Sequence, residues 1–186
     1  MINIISGFCA TLLLLCQTII INFDFEYDDQ DEFVRGIVQC TQALNAVIPP
    51  QQRVAIVISM AQAALESDWG ESRFAKLGNN FYGIIETDLE KPHLTALGNP
   101  DIHLKVYDKK CYSVADYLAL LNTSSLFKEY RNERAKAFVT GTVDLDPLIM
   151  SLHVFAVDPF YTYKIKDTVA YLHRTYPTIF HLTTPA

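Results

Sequence analysis

Apolar residues dominate one stretch near the middle of the chain. Between Val54 and Leu65 only Ser59 and Gln62 are clearly polar, so a helix over this stretch has almost no side that suits solvent. The pattern predicts a helix that runs through the core. Glu66 follows directly and is the first charged residue after this apolar stretch.

Shorter patterns predict the elements on either side of this helix. Apolar residues recur at helical spacing before it, and Pro49-Pro50 ends that element; these positions are Phe33, Ile37, Cys40, Leu44 and Val47. After it, Gly70 is expected to end the central helix in a left-handed conformation, and Ser72 to cap a short helix that ends at Gly78. Asn79-Asn80 with Gly83 predicts a tight polar turn.

The second half of the chain combines one extended stretch with further helices. Residues 84–107 are predicted to be extended, because apolar and polar residues alternate between Ile102 and Tyr107. Helix starts are predicted at four later positions: Ser113, Ser124 or Ser125, Asp146-Pro147 and Asp158-Pro159. The predicted fold class is α+β, mainly α-helical, with one small extended lobe.

Size and charge limit the classes of protein that fit. The chain has 186 residues, half of them hydrophobic, which suits a single domain, over residues 33–182. The net charge is −6 and the basic residues are dispersed, whereas a nucleic-acid partner normally requires a clustered basic face. We therefore expect no nucleic-acid partner.

The amino-terminal segment predicts export. The first 23 residues carry no charged side chain, which is typical of a signal peptide or a single membrane anchor. No Ala-x-Ala cleavage site follows, which favours an uncleaved anchor in the inner membrane; a buried core helix is the alternative. Residues 24–32 are strongly acidic and are predicted to be a solvated linker.

The cysteines and histidines give little sign of chemistry. The five histidines are scattered and no cysteine pair has zinc-site spacing, so no metal or cofactor is predicted. Cys40 and Cys111 lie in the domain that we expect to be exported, where a disulfide between them can form. Cys111 as a nucleophile lacks a supporting context.

Glu66 is the strongest candidate for a catalytic group. Ala63 lies one helical turn before it and Trp69 comes shortly after, so the carboxyl loses water and its pKa rises toward neutrality. Such a carboxyl can donate a proton at working pH. The alternative is a structural glutamate that caps backbone donors or pairs with Arg73.

Residues 61–84 resemble a known family. The stretch reads Ala-Gln-Ala-Ala-Leu-Glu-Ser, Trp-Gly, Ser, Phe-Ala and Asn-Asn, followed by an aromatic pair and Gly83. It is similar to the bacterial cell-wall glucosaminidases of the flagellar muramidase and autolysin group (glycoside hydrolase family 73), and most similar to their shorter Bax-type members. The likeness extends in order over residues 49–176. It implies a lysozyme-like fold, with the sugar chain lying between the lobe and the helices.

The resemblance also implies an activity. Such enzymes cleave the β-1,4 bond after N-acetylglucosamine in peptidoglycan, with the residue at the position of Glu66 as general acid. The second acidic residue lies in the lobe, where this chain offers Glu86, Asp88 and Glu90. We favour Glu86, since it directly follows Ile84-Ile85; otherwise all three are solvated loop charges, and the N-acetyl group of the substrate can assist instead.

One family position differs in this chain. The later motif, which begins with tyrosine in relatives, begins here with Phe155, and its second aromatic is Tyr161. The missing hydroxyl puts full activity in doubt, although Tyr161 can supply a replacement hydroxyl. The candidate substrate-binding residues are Trp69, Asn80, Tyr82 and Tyr161, with Asn80 read first as structural.

The resulting interpretation is an exported peptidoglycan hydrolase, acting as a monomer on glycan strands in the periplasm or cell envelope, with Glu66 as general acid and Glu86 as second carboxylate. Two alternatives stay open. One is a non-catalytic protein that binds or organises the wall. The other is a lytic enzyme that cleaves after N-acetylmuramic acid with a lone glutamate.

Overall fold

A computed structural model describes residues 24–140 and 143–181. The fold is α+β and mainly helical, as the sequence predicts. The helices are α1 (Gln30–Val47), α2 (Ile56–Ser67), α3 (Arg73–Gly78), α4 (Lys110–Thr123), α5 (Lys128–Thr140), α6 (Leu145–Met150), α7 (Tyr161–Thr175) and α8 (Thr178–His181). The strands are β1 (His93–Ala96) and β2 (Asn99–Lys105), and short 3-10 helices cover Pro50–Gln52, Ser125–Phe127 and Ser151–Phe155.

The central helix α2 is buried as its apolar pattern predicts. Ten of its twelve residues are buried, and it packs against α1 on one side and against α7 and α8 on the other. Its polar residues have internal partners: the Ser59 hydroxyl lies 2.9 Å from that of Tyr82 and 3.0 Å from that of Thr41. A helix enclosed in this way holds the position of the residue at its end, which is Glu66.

The segment predicted to be a solvated linker, residues 24–32, lies against the domain instead. Tyr27 is buried and its hydroxyl donates to the carbonyl of Gly70 at 2.8 Å. The carboxylate of Glu26 pairs with Lys110 at 3.0 Å, and Asp29 caps α1 by accepting from the Glu32 amide. Most acidic side chains of the segment are exposed, as predicted for a solvated stretch, whereas Tyr27 between them is buried and Gln30 already begins α1.

Gly36 of α1 is where this segment approaches the helix most closely, because a side chain there would collide with the ring of Phe25. We expect Gly36→Ala to lower the free energy of unfolding by about 1–3 kcal/mol, although alanine is normally the better helix former by about 1 kcal/mol. Urea denaturation measures this. Gln39→Ala, at an exposed position on the same helix, is the control and should cost nothing; an equal or higher stability for Gly36→Ala would contradict the contact.

Helix α4 is attached to α1 by a disulfide between Cys40 and Cys111, whose Cα atoms are 5.5 Å apart. The helix begins at Lys110, so the predicted start at Ser113 is wrong. Ser113 lies inside the helix, where it is buried and its hydroxyl accepts from the Phe81 amide at 3.0 Å. A serine before an apolar run is typical of a helix N-cap, but the hydroxyl oxygen of Ser113 instead accepts a hydrogen bond from a residue distant in sequence.

The small lobe is a two-stranded antiparallel sheet in which His93 pairs with Lys105. Residues before it add a short edge, since the Glu86 amide donates to the carbonyl of His103 at 2.8 Å. The predicted turn at Asn79-Asn80 attaches the lobe to α3: Asn79 Nδ2 donates to the carbonyl of Tyr107 at 2.8 Å. The lobe is therefore fixed beside the end of α2.

The predicted signal peptide or anchor, residues 1–23, lies outside the described residues. Within residues 24–140 and 143–181, no helix has the length and apolarity to cross a membrane.

Candidate active site

Glu66 lies in the last turn of α2, where the helix leaves the core, and its side chain is half-buried. Burial raises the pKa of its carboxyl, and a hydrogen bond from the Tyr161 hydroxyl acts in the opposite direction. The predicted alternative of a pair with Arg73 is not formed, because Arg73 Nη1 donates to the carbonyl of Thr95 at 3.0 Å. Glu66 thus has the environment of a proton donor.

Tyr161, the first residue of α7, faces Glu66 from a different element. Its hydroxyl accepts from Gln62 Nε2 at 2.8 Å, and Gln62 Oε1 accepts from the Tyr117 hydroxyl. Burial, followed by the nearby charge of Glu66, raises the pKa of Tyr161, so the hydroxyl keeps its proton. Sequence reasoning missed Gln62 and Tyr117, although Gln62 is one of only two polar residues between Val54 and Leu65 and precedes Glu66 by one helical turn.

Phe155 takes a packing position beside this hydroxyl. Its ring is stacked on that of Tyr161, with the centroids 5.8 Å apart and the planes within 4°, and it also contacts the rings of Phe127 and Tyr117. Tyr161 is only 4% exposed. The hydroxyl near Glu66 therefore belongs to Tyr161, and Phe155 packs against the ring of Tyr161. Tyr161 itself has no free face on which a sugar could stack.

Two stretches of backbone near Glu66 have positive φ angles, one directly after it in the chain and one that approaches from the lobe. Asp68, Trp69 and Gly70 all have positive φ angles, so the chain turns sharply after the carboxylate; the left-handed turn predicted at Gly70 begins two residues earlier. Gly83, also at positive φ, approaches from the lobe, and a Cβ there would lie 3.8 Å from Glu66 Oε2. Gly83 thus brings the backbone of the lobe close to the carboxylate of Glu66.

The remaining candidate binding residues lie elsewhere. Asn80 is 1% exposed, and its amide bonds to the backbone of Ile84 and Lys105; Tyr82 is equally buried and stacks on Tyr117 at 4.0 Å. Neither side chain can contact a sugar in this structure, so both stabilise the fold. Trp69 is half-buried with its ring edge-on to that of Tyr171 at 5.3 Å, and it alone of these three has exposed surface.

The three lobe carboxylates differ in how firmly they are held. Glu86 is 8% exposed, and its Oε1 accepts from the amides of Thr87 and Asp88 at 2.9 Å each. Asp88 and Glu90 are exposed, and Asp88 pairs with Lys91 at 3.5 Å. The charge of Glu86 contributes to the raised pKa of Tyr107, whereas burial and Tyr161 account for the pKa of Glu66. Glu86 is therefore held by backbone amides, and its charge acts on Tyr107 rather than on Glu66.

Among residues 24–140 and 143–181, no group of three or more histidine, cysteine, aspartate or glutamate residues is arranged to hold an ion.

The raised pKa of Glu66 predicts a pH-dependent cost in stability. Below the pKa of an unfolded glutamate the carboxyl is protonated in both states, and as the pH rises through the folded-state pKa the buried group must ionise, which destabilises the fold. We expect Glu66→Gln to melt at a higher temperature than the wild type near pH 8, with the difference shrinking toward about pH 4. Calorimetry at both pH values checks this. A difference that is the same at both pH values would mean that burial does not perturb the carboxyl.

Several solved structures have a similar fold. The catalytic domain of the autolysin Auto from Listeria monocytogenes matches with a TM-score of 0.59 at 20% identity, over 84% of this chain and 91% of that one. The glycoside hydrolase domain of FlgJ from Salmonella typhimurium matches with a TM-score of 0.59 at 21% identity, over 83% and 94%. A peptidoglycan hydrolase from Sphingomonas sp. A1 matches with a TM-score of 0.58 at 19% identity, over 85% and 96%. At these identities the likeness establishes the fold alone.

The family follows from the sequence. A comparison with curated protein sequences finds no match. The family model described as mannosyl-glycoprotein endo-beta-N-acetylglucosaminidase matches residues 50–174, a stretch that contains α2, the lobe and all but the last residue of α7. Since this stretch is more than half of the chain, the protein belongs to the glucosaminidase family.

Proposed function

We propose that this protein is a peptidoglycan hydrolase that cleaves the β-1,4 bond after N-acetylglucosamine, with Glu66 as the general acid. The observation that carries the proposal is the half-buried carboxyl at the end of α2, with its raised pKa and its hydrogen bond from Tyr161. Family membership supports the sugar, and the solved structures of the same fold support the cell-wall substrate.

In the proposed reaction, Glu66 donates its proton to the glycosidic oxygen as the bond to the anomeric carbon breaks. The carboxylate that results is poorly solvated, so the hydrogen bond from Tyr161 gains strength at the moment when charge develops. Water then forms a bond to the anomeric carbon and gives up one proton, to Glu86 if the reaction inverts or back to ionised Glu66 if it retains, and a new reducing end is released. No metal or cofactor enters this scheme.

The group that acts on the other face of the sugar is either Glu86 or the acetamido group of the substrate. A nucleophilic carboxylate about 5 Å from Glu66 would also raise its pKa, whereas the perturbation of Glu66 comes from burial. This favours activation of water by Glu86, which inverts the anomeric configuration, or assistance by the acetamido group, which retains it. NMR of the freshly released anomer, compared between wild type and Glu86→Gln, separates the two.

Two features support action outside the cytoplasm. Residues 1–23 carry no charged side chain, and the disulfide between Cys40 and Cys111 is typical of proteins in an oxidising compartment. We therefore place the protein in the periplasm or cell envelope, acting as a monomer on glycan strands, with the amino-terminal segment as a signal peptide or an inner-membrane anchor.

The product identity tests the proposal against its alternatives. Purified peptidoglycan is digested, the ends are reduced with borohydride, and the fragments are identified by mass spectrometry. Reduced glucosamine ends are expected. Anhydromuramic ends would assign the lytic reaction, which needs only one glutamate, and binding without any product would assign a non-catalytic wall protein, which the loss of the hydroxyl at Phe155 would then explain.

A further inference from the structure

Gln62 is the only buried amide side chain on the face of α2 that leads to Glu66, among the residues that the structure describes. It is fully buried, and it precedes Glu66 by four residues, so both side chains lie on the same side of the helix. Both ends of its amide are used: Oε1 accepts from Tyr117, and Nε2 donates to Tyr161 at 2.8 Å. An amide buried among apolar neighbours costs free energy unless it is bonded in this way.

The amide determines which way the hydroxyl of Tyr161 points. A phenol has one proton to donate, and Gln62 occupies an acceptor position on the Tyr161 oxygen with its own N–H. The proton of Tyr161 is then left for the carboxyl of Glu66. Tyr117 keeps Gln62 in this orientation, because its hydroxyl donates to Gln62 Oε1. The ring of Tyr117 is in turn held by stacking on that of Tyr82, with the centroids 4.0 Å apart and the planes within 6°.

We propose that Gln62 is a positioning residue that directs the Tyr161 hydroxyl at Glu66 and so stabilises the carboxylate left after proton donation. This rests on the proposed function, in which Glu66 is the general acid. Gln62 does not contact the substrate, since it has no exposed surface. Its effect on the reaction passes entirely through Tyr161.

A double-mutant cycle tests this dependence in the full chain. We expect Gln62→Met to lower kcat for peptidoglycan by about tenfold with KM unchanged, because it weakens a hydrogen bond to a charged group. Tyr161→Phe should lower kcat at least as much. The double variant should match Tyr161→Phe, since Gln62 has nothing left to orient. A tenfold loss that recurs in the Tyr161→Phe background would overturn the proposal.

Ser59→Ala is the matched control. Ser59 is the other polar residue between Val54 and Leu65, it is fully buried, and it bonds to Tyr82 rather than to Tyr161. The Ser59→Ala variant should have a lower melting temperature, as Gln62→Met does, but an unchanged kcat. If both variants lower kcat equally, Gln62 has only a structural role. Should Gln62→Met fail to fold, Tyr117→Phe removes just the partner of Oε1, and we expect about a threefold loss of kcat that disappears in the Tyr161→Phe background.

Measuring the pKa of Glu66 tests the role of Gln62 separately from the proposed hydrolase function. If the wild type releases no sugar ends, the proposed function fails, and NMR titration of the Glu66 carboxyl in the same four proteins still tests the role of Gln62. Gln62→Met should raise that pKa when Tyr161 is present and leave it unchanged when Phe replaces it. An identical pKa of Glu66 in wild type and Gln62→Met would overturn the proposal.

Discussion

Glu66→Gln is expected to lower the turnover of peptidoglycan by about 10²–10⁴-fold, the usual contribution of a general acid. Glutamine preserves the shape and can still accept from Tyr161, but it has no acidic proton to give to the leaving oxygen. Because the side chain is half-buried and has a raised pKa, the change should also stabilise the fold above neutral pH. Release of reducing ends over time, measured with both proteins at equal concentration, gives the rate ratio.

Asp68→Asn is the control for this substitution. Asp68 is an exposed acidic residue two positions further on, in a left-handed conformation that asparagine adopts readily. It removes one negative charge near the site without touching the proton donor, so its activity should stay near that of the wild type. Equal losses in the two variants would point to general electrostatics, and a Glu66→Gln protein with wild-type turnover would refute the role of Glu66.

Removal of the disulfide is expected to have the largest effect on stability. The bond between Cys40 and Cys111 closes a loop with a sequence separation of 71, and closing a loop of that size lowers the entropy of the unfolded chain by an amount equivalent to about 4 kcal/mol. Replacing both cysteines with alanine should lower the melting temperature by about 10 °C. Since α1 and α4 both pack on the core near α2, activity at low temperature should be largely retained.

Reduction of the wild type provides the matching control. In dithiothreitol the wild type should melt near the temperature of the double alanine variant, while the variant itself should not respond to the reductant. Coincident melting curves for oxidised and reduced wild type would mean that the bond does not form in solution. That result would also remove one of the two supports for action in an oxidising compartment.

The sequence was most informative where a pattern has one physical solution. A run of apolar residues from Val54 to Leu65 can only be buried, so α2 and the exit of Glu66 from the core followed from it. Ser72 likewise caps α3 as predicted, accepting from the Ala75 amide at 3.2 Å. The predicted α+β fold class is confirmed as well. Apolar residues at helical spacing and one short alternating stretch lie in distinct parts of the chain, and each pattern fits one kind of element.

Predictions about individual side chains were weaker where several partners compete for one polar atom. Asn80 and Tyr82 suit a sugar groove by type, but backbone groups use the amide of Asn80 and Ser59 lies beside the hydroxyl of Tyr82. Ile84 is only four residues from Asn80, but Lys105 and Ser59 come from segments distant in sequence, which no local pattern reveals. The bonding of Gln62 to two tyrosines from α4 and α7 was hidden for the same reason, and so was the burial of Tyr27.

The central claim is that the end of α2 makes Glu66 a proton donor at working pH, and the direct measurement is the titration of its carboxyl carbon by NMR. The signal is assigned by its loss in Glu66→Gln. The account predicts a pKa above the ordinary value of 4.5 for a glutamate, because burial outweighs the hydrogen bond from Tyr161. A pKa at or below that value would contradict it, since Glu66 would then be ionised at neutral pH and would have no proton to give.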